Sequence, residues 1–263
     1  MTRIVWDSVG ERVFETGVDR AVIYPHNGPG VPWNGLTDIS EKFDGITPRP
    51  FYIDGTKFNE EVPYGGFSAT LSAFTYPEVL LNYQGFRDVG SGLYASNQRR
   101  TRFNLTYRTM VGDDIYGIDR GYKIHLVYNA LVTPSDNDFS TINGSPEAST
   151  FKWDLSTIPV KILGIKPTSH FILYSEKTDP YVLAELESRL YGDDSRDAYM
   201  LDAEDLMELL NEWSDLIVYD HGDGSWTARS SGDSIVLLED GEFYITSDSA
   251  EFINADQYTL TSR

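Results

Sequence analysis

Along residues 99–109 the side chains alternate. Phe103, Leu105 and Tyr107 are apolar at one parity, while Arg100, Arg102, Asn104, Thr106 and Arg108 are polar at the other. A period of two marks a half-buried strand, so the stretch predicts a strand with one apolar and one basic face. Residues 121–132 repeat the pattern, with Tyr122, Ile124, Leu126, Tyr128, Ala130 and Val132 on one face and Lys123, His125, Val127 and Asn129 on the other. This predicts the partner strand. Each segment exceeds the common strand length of about five or six residues. The intervening MVGDDIYGIDR, dense in Gly and Asp, reads as an ordered loop too long for a tight turn, and such loops often carry function.

The remaining pattern is mostly β. Residues 1–24 end in strand-like GVDRAVIY, and a Gly-, Pro- and aromatic-rich tract then excludes long helices. Short strands are predicted at 37–42 and 50–53, with Asp54-Gly55 as a two-residue hairpin turn. FSATLSAFT (67–75) alternates as a strand, and YPEVLLNYQG reads as a helical turn closed by Gly85. Residues 133–151 are turn-formers, and strands resume at 153–158, 159–162 and 170–174. A helix then starts at the cap Asp179 with Pro180 in first position, carries Val182, Leu183, Leu186 and Leu190 on one face, and ends at Gly192. A second helix starts at Asp202, with Leu201 and Leu206 placed as a hydrophobic staple and Leu206, Leu209, Leu210 and Trp213 as its stripe. IVYDHGDGSWTA (217–228) echoes IVLLEDGEFYIT (235–246), so the tail reads as a small module of about five strands. The expected division is a core over 1–192, an acidic hinge and helix over 193–213, and an acidic β-module over 214–263.

Composition narrows the function. Aromatics make up 13% of 263 residues, including 17 Tyr, a composition suited to strands and contact surfaces. No apolar run of 18 residues or apolar leader is present, so the expectation is a chain made in the cytoplasm, with no membrane partner. With no cysteine, disulfides and thiolate metal sites are excluded. The formal charge is −20, and it is uneven: residues 191–263 hold 18 acidic and 3 basic side chains. Such a surface does not hold duplex DNA, which is bound through Lys and Arg.

Catalytic patterns are missing. The four histidines, His26, His125, His170 and His221, form neither H-x-x-x-H nor H-E-x-x-H. His125, alternating with Lys123, is expected on an exposed strand face. The turn Asp220–Ser225 resembles a calcium loop faintly but lacks D-x-D-x-D-G and the distal Glu. Phosphate-loop, dinucleotide and nucleophile-elbow motifs are absent. No catalytic, cofactor-binding or metal-ligating residue is therefore assigned. Long strands without chemistry suit a protein that completes its sheets with copies of itself, since joining removes exposed edges. A carbohydrate-binding module and an acidic glycoside hydrolase, which needs two flanking carboxylates, are the alternatives.

The order of several motifs resembles the major tail tube protein of long, non-contractile-tailed bacteriophages, especially those of actinobacterial hosts. The resembling stretches are GVPWNGL (30–36), YIDGTKF (52–58), FTYPE (74–78), the specific block RFNLTYRTMVGDDIYGIDRGYKIHLVYNALVTPS (102–135), Trp153 with IPV (158–160), LAELESRLYG (183–192), HGDGSWTA (221–228) and NADQYTL (254–260). The resemblance implies a mainly β fold, a β-sandwich or partial barrel with a flanking α-helix and a small C-terminal helix and β-hairpin module. It also implies hexameric rings stacked into a tube in the virion, with a tape measure protein, a tail terminator and distal tail or baseplate proteins as partners. Double-stranded DNA would pass through without specific binding. The expected contacts between subunits or rings are Arg100, Arg102, Arg108, Lys123 and His125 on the basic face, steered by a neighbour's acid, and Gly112, Asp113, Asp114, Ile115, Tyr116 and Gly117 in the loop.

Overall fold

A computed structural model describes residues 6–43, 49–61, 66–135, 137, 139, 141 and 148–212, together with the backbone of five strands beyond them. The chain forms two compact units, Met1–Leu201 and Asp202–Arg263.

The first unit holds β1 (Phe14–Tyr24), β2 (Val31–Pro32), β3 (Leu36–Phe43), β4 (Arg49–Ile53), β5 (Thr56–Glu61), β6 (Phe67–Ala73), β7 (Arg87–Asp88), β8 (Tyr94–Ala95), β9 (Phe103–Asp113), β10 (Gly117–Pro134), β11 (Phe151–Thr157) and β12 (His170–Tyr174). Its helices are α1 (Val79–Gln84) and α2 (Pro180–Tyr191). Eight strands make one antiparallel sheet in the order β2-β1-β9-β10-β11-β6-β3, with β12 also on β10. The sheet rolls, so that β3 returns alongside β1. The expected mainly β partial barrel with a flanking helix is what forms. Among the described residues β4 pairs only with β5, and β7 only with β8, as two separate hairpins.

Inside the roll lie Ile23, Leu71, Phe103, Leu105, Tyr107, Val127, Val132 and Trp153. Trp33 meets Trp153 edge-on at 5.2 Å, a favoured aromatic geometry. The outer face of the long strands is also covered. Thr106, Ile124, Leu126 and Tyr128 are buried there, as are Val182, Leu186 and Leu190 of α2. Two tyrosines tie helix to strands: Tyr24 donates its hydroxyl to the Leu190 carbonyl at 2.7 Å, and Tyr122 donates to Glu187 at 2.9 Å. The helix is bounded as its caps dictate. Asp179 accepts from the Tyr181 amide at 2.9 Å, and the Gly192 amide donates to Ser188. Leu183, placed on the same stripe by periodicity, is only half-buried.

Two sequence expectations need correction. The stretch 110–120 is not a long loop. β9 and β10 run on into it, pairing Gly121 with Val111 and Gly117 with Asp113, and leave only Asp114, Ile115 and Tyr116 as the turn. The Asp and Gly residues that suggested a loop instead build a tight turn and an irregular register. The strand expected at 159–162 is reduced to one bridge, Val160 to Thr168.

A bulge explains why single-face reading of residues 122–132 fails. On β10, Val127 faces Leu105, and Ala130 faces Phe103. Three steps on one strand match two on the other, so Asn129 is the extra residue, with φ of 52°. Val127, Ala130 and Val132 therefore share the inner face, while Ile124, Leu126 and Tyr128 lie outside it. Opposite parities meet at the bulge. The outer partner of β10 also changes there, from β12 at Lys123–Val127 to β11 at Ala130–Pro134.

The backbone groups that the bulge removes from the ladder are satisfied by side chains of β9 and its approach. The Asn129 amide donates to Asn104 Oδ1 at 3.0 Å, and its carbonyl accepts from Arg102 Nη1 at 2.6 Å. Arg102 thus acts within the subunit. Arg102→Ala is expected to lower stability by about 1–2 kcal/mol, because it strands a part-buried carbonyl. Urea unfolding checks this: the midpoint should fall with an unchanged slope.

In the second unit α3 (Ala203–Glu212) is capped by Asp202, which accepts from the amides of Glu204 and Asp205 at 3.0 Å each. β13 (Ile217–Asp220), β14 (Trp226–Arg229), β15 (Ser234–Leu237), β16 (Glu242–Ile245) and β17 (Ile253–Asn254) form a five-stranded antiparallel meander. Trp213 of the expected stripe lies outside the described residues.

Candidate assembly surfaces

The β9–β10 turn is built by its own acid and clamped from both sides. Asp113 accepts from the amides of Ile115 at 2.8 Å and Tyr116 at 2.6 Å, and from Arg120 Nη1 at 3.1 Å. These amides hold the Asp113 carboxyl below the usual carboxylate range, with Arg120 adding to the effect. Arg120 also reaches Glu176 at 2.7 Å and the Gly10 carbonyl at 3.2 Å. Asp114 accepts from the Gly10 amide at 2.9 Å, so the segment before β1 is fastened to the turn. Gly117 takes φ of 61°, where glycine is favoured. With its polar groups turned inward, the tip presents Ile115, Tyr116 and Ile118 to solvent, Tyr116 with 65% of its surface exposed.

The β4–β5 hairpin is a second such projection, and it was not among the expected contact residues. Its turn is Asp54-Gly55, with both φ positive at 50° and 76°, as a two-residue hairpin turn requires. Phe51 is 50% exposed, Tyr52 64% and Phe58 73%, with Ile53 beside them. A lone two-stranded hairpin is marginal in water, and exposed apolar patches mark interaction sites. The signal was present in the sequence: Phe51, Tyr52 and Ile53 are consecutive, so apolar groups occupy both faces.

The basic side chains of the expected face mostly find partners within the chain. Arg108 forms a two-point pair with Asp19, at 2.8 and 2.6 Å, and lies over the Tyr122 ring at 4.5 Å. Arg100 donates to the Gln84 carbonyl and Thr133 Oγ1, each at 3.2 Å. Lys123 pairs with Glu15. Arg102 serves the bulge.

His125 is not on an exposed face; it is 2% exposed. It points into the roll because it shares the inner parity of Tyr107 and Val127. Tyr107, His125 and His170 stack in sequence, with ring centroids 4.5 and 5.3 Å apart. Glu41 of β3 reaches them from the other side of the roll, with Oε1 3.2 Å from His125 Nδ1 and 2.6 Å from the Tyr107 hydroxyl. These neighbours, His125 foremost, hold the Glu41 carboxyl down to about 2. Burial pushes the His170 imidazole down to about 4, so it is neutral at pH 7. Burial, then the Glu41 carboxylate, pushes the Tyr107 phenol up. The cluster joins β3, β10 and β12, and no sequence spacing announced it. Most of the turn that resembles a calcium loop, His221–Ser225, lies outside the described residues.

No protein-family model and no curated protein matches the chain. Among solved structures it is similar to a chain of the PVC sheath–tube complex, an extracellular contractile injection system in its extended state, at 12% identity and a TM-score of 0.31, covering 59% of this chain and 88% of that one. It is also similar to a chain of the anti-feeding prophage baseplate, at 10% identity and a TM-score of 0.31, covering 65% and 97%. A chain of that prophage's tube-terminating cap gives 12% identity and the same TM-score, covering 66% and 96%. Likeness at this level carries no inference about function.

Proposed function

We propose that this chain is a structural subunit of a phage-type tail tube, which joins copies of itself into rings, six to a ring, that stack into the conduit for genome delivery. The observation that carries the reading is the pair of hairpins with exposed aromatic and aliphatic side chains, β4–β5 and the β9–β10 tip. A rolled sheet that ends on the short β2 beside β1 and on β3, with no pairing across that seam among the described residues, supports it, because unpaired edges invite further strands. The resemblance of the 102–135 block supports it too. The acidity of the chain, at −20, suits a conduit that DNA traverses without binding. Tape measure, terminator and baseplate proteins are the partners implied.

Negative-stain microscopy and sedimentation of the purified chain test the reading. Tubes or stacked rings are expected, and the double substitution Ile115→Asp/Tyr116→Asp is expected to give soluble subunits or single rings without tubes. A chain that stays monomeric at high concentration while binding glycans, or one that releases sugar and loses that activity with a single carboxylate change, would overturn it.

A further inference from the structure

Glu41, His125 and His170 come from three strands of the rolled sheet and aim one donor atom each at a common point. His125 Nδ1 lies 3.1 Å from His170 Nε2 and 3.2 Å from Glu41 Oε1, and all three atoms fall within 4.8 Å of one another. Zinc–nitrogen bonds of about 2.0–2.1 Å at tetrahedral angles require donor separations of about 3.3 Å. The two separations that involve His125 Nδ1 are close to that.

Counting protons shows what the point lacks. The Thr109 hydroxyl donates to Glu15 at 2.6 Å, so Thr109 Oγ1 is left to accept from His125 Nε2–H at 3.0 Å. If that were the only proton on the ring, Nδ1 would present a bare lone pair. That lone pair faces the Glu41 carboxylate, which the Tyr107 hydroxyl has already approached on the same oxygen. His170 can bring at most one proton, from Nε2, to two acceptors. A cation at this point, either a metal ion or a second proton on His125, resolves the conflict.

We infer that Glu41 Oε1, His125 Nδ1 and His170 Nε2 bind a divalent transition-metal ion, zinc by donor type, which clips β3 to β10 and β12. Two imidazoles and a carboxylate are a zinc-type donor set. The supports behind them are those that metal ligands use: the other nitrogen of His125 is held by a hydroxyl backed by Glu15, and Glu41 is held by a phenol. Aromatic rings flank the two imidazoles, with Phe67 packed on His170 at 4.1 Å and Tyr107 stacked on His125 at 4.5 Å. A cavity of about 300 Å³ between β1 and β3 is lined by Glu41, Tyr107 and Thr109, though by neither histidine, and opens a path to the carboxylate side of the point. The clip lies where backbone pairing is missing among the described residues, since β3 there pairs in the sheet only with β6. The inference is independent of whether the chain forms tubes.

The test uses the full chain, stripped with EDTA and dialysed into buffer containing millimolar Mg²⁺ to occupy weak acidic sites. Titration with zinc should show one tight equivalent and raise Tm. Cobalt(II) should give the intense visible bands of a low-coordinate site. Glu41→Gln and His170→Asn, both at half-buried positions, should keep the wild-type circular dichroism and weaken zinc at least tenfold. Three results would each overturn the inference: no stoichiometric uptake, a Tm indifferent to zinc, or tight binding that persists in both variants. Stabilisation that follows pH but not zinc would also overturn it, showing a proton in the place of the metal.

Discussion

Replacing Phe51 and Phe58 together by aspartate should yield a chain that folds and melts as the wild type does but builds no tubes. Both rings stand on the β4–β5 hairpin, which among the described residues is paired to no other strand, and both are half or more exposed. Neither belongs to the core cluster, and surface substitutions away from special features usually shift stability by only about 0.5 kcal/mol either way. At an interface the balance reverses. A buried phenylalanine removes about 150 Å² or more from water, and at about 25 cal/mol per Å² each ring contributes up to about 4 kcal/mol per contact. Replacing both also places two carboxylates in the joint. Since each ring is repeated in every subunit, assembly should fail completely rather than weaken. Sedimentation velocity, negative stain and a thermal melt decide the matter together. Tubes formed by the double variant would remove this hairpin from the joint, and a collapsed melt would show that it serves the fold.

Much of the fold was legible because it is written locally. Asp54-Gly55, Asp179 with Pro180, and Gly85 each act within a few residues, and each ends or turns the chain where expected. The alternation of 103–107 correctly marks the inner face. What the alternation hides is that α2 covers the other face, so Thr106, Ile124 and Leu126 are buried with no change of pattern on their own strands. The bulge at Asn129 is equally silent, because one extra residue swaps parity without altering composition. His125 was misplaced for a related reason: beside Lys123 it looks polar and outward, yet only the rolling of β3 onto β10 supplies Glu41, the partner that makes its burial tolerable. The basic strand was read as a contact surface because Asp19, Glu15 and the bulge carbonyl are distant in sequence and only the fold brings them to Arg108, Lys123 and Arg102.

A side chain at Gly112 should cost stability and, before the fold is lost, assembly. A Cβ built there would lie 2.2 Å from the Gly117 carbonyl oxygen, 2.9 Å from its carbon and 2.6 Å from Phe14 Cζ. The Phe14 ring, opposite Gly112 across β1 and β9, can swing aside. The carbonyl belongs to the turn backbone and cannot move without opening the Gly117–Asp113 pair. Gly112→Ala should therefore cost about 2–3 kcal/mol, in the range of overpacked sites, or about 5–10 °C in Tm for a chain of this size. It should also displace Ile115 and Tyr116 enough to stop stacking at temperatures where the subunit is still folded. Gly117→Ala is the control. Its φ of 61° is unfavourable for alanine, but a Cβ there meets nothing within 4 Å, so the cost is about 1 kcal/mol of backbone strain. A larger loss at Gly117 than at Gly112 would mean that conformation rather than space constrains the tip. Wild-type tubes from Gly112→Ala would separate the turn's geometry from assembly altogether.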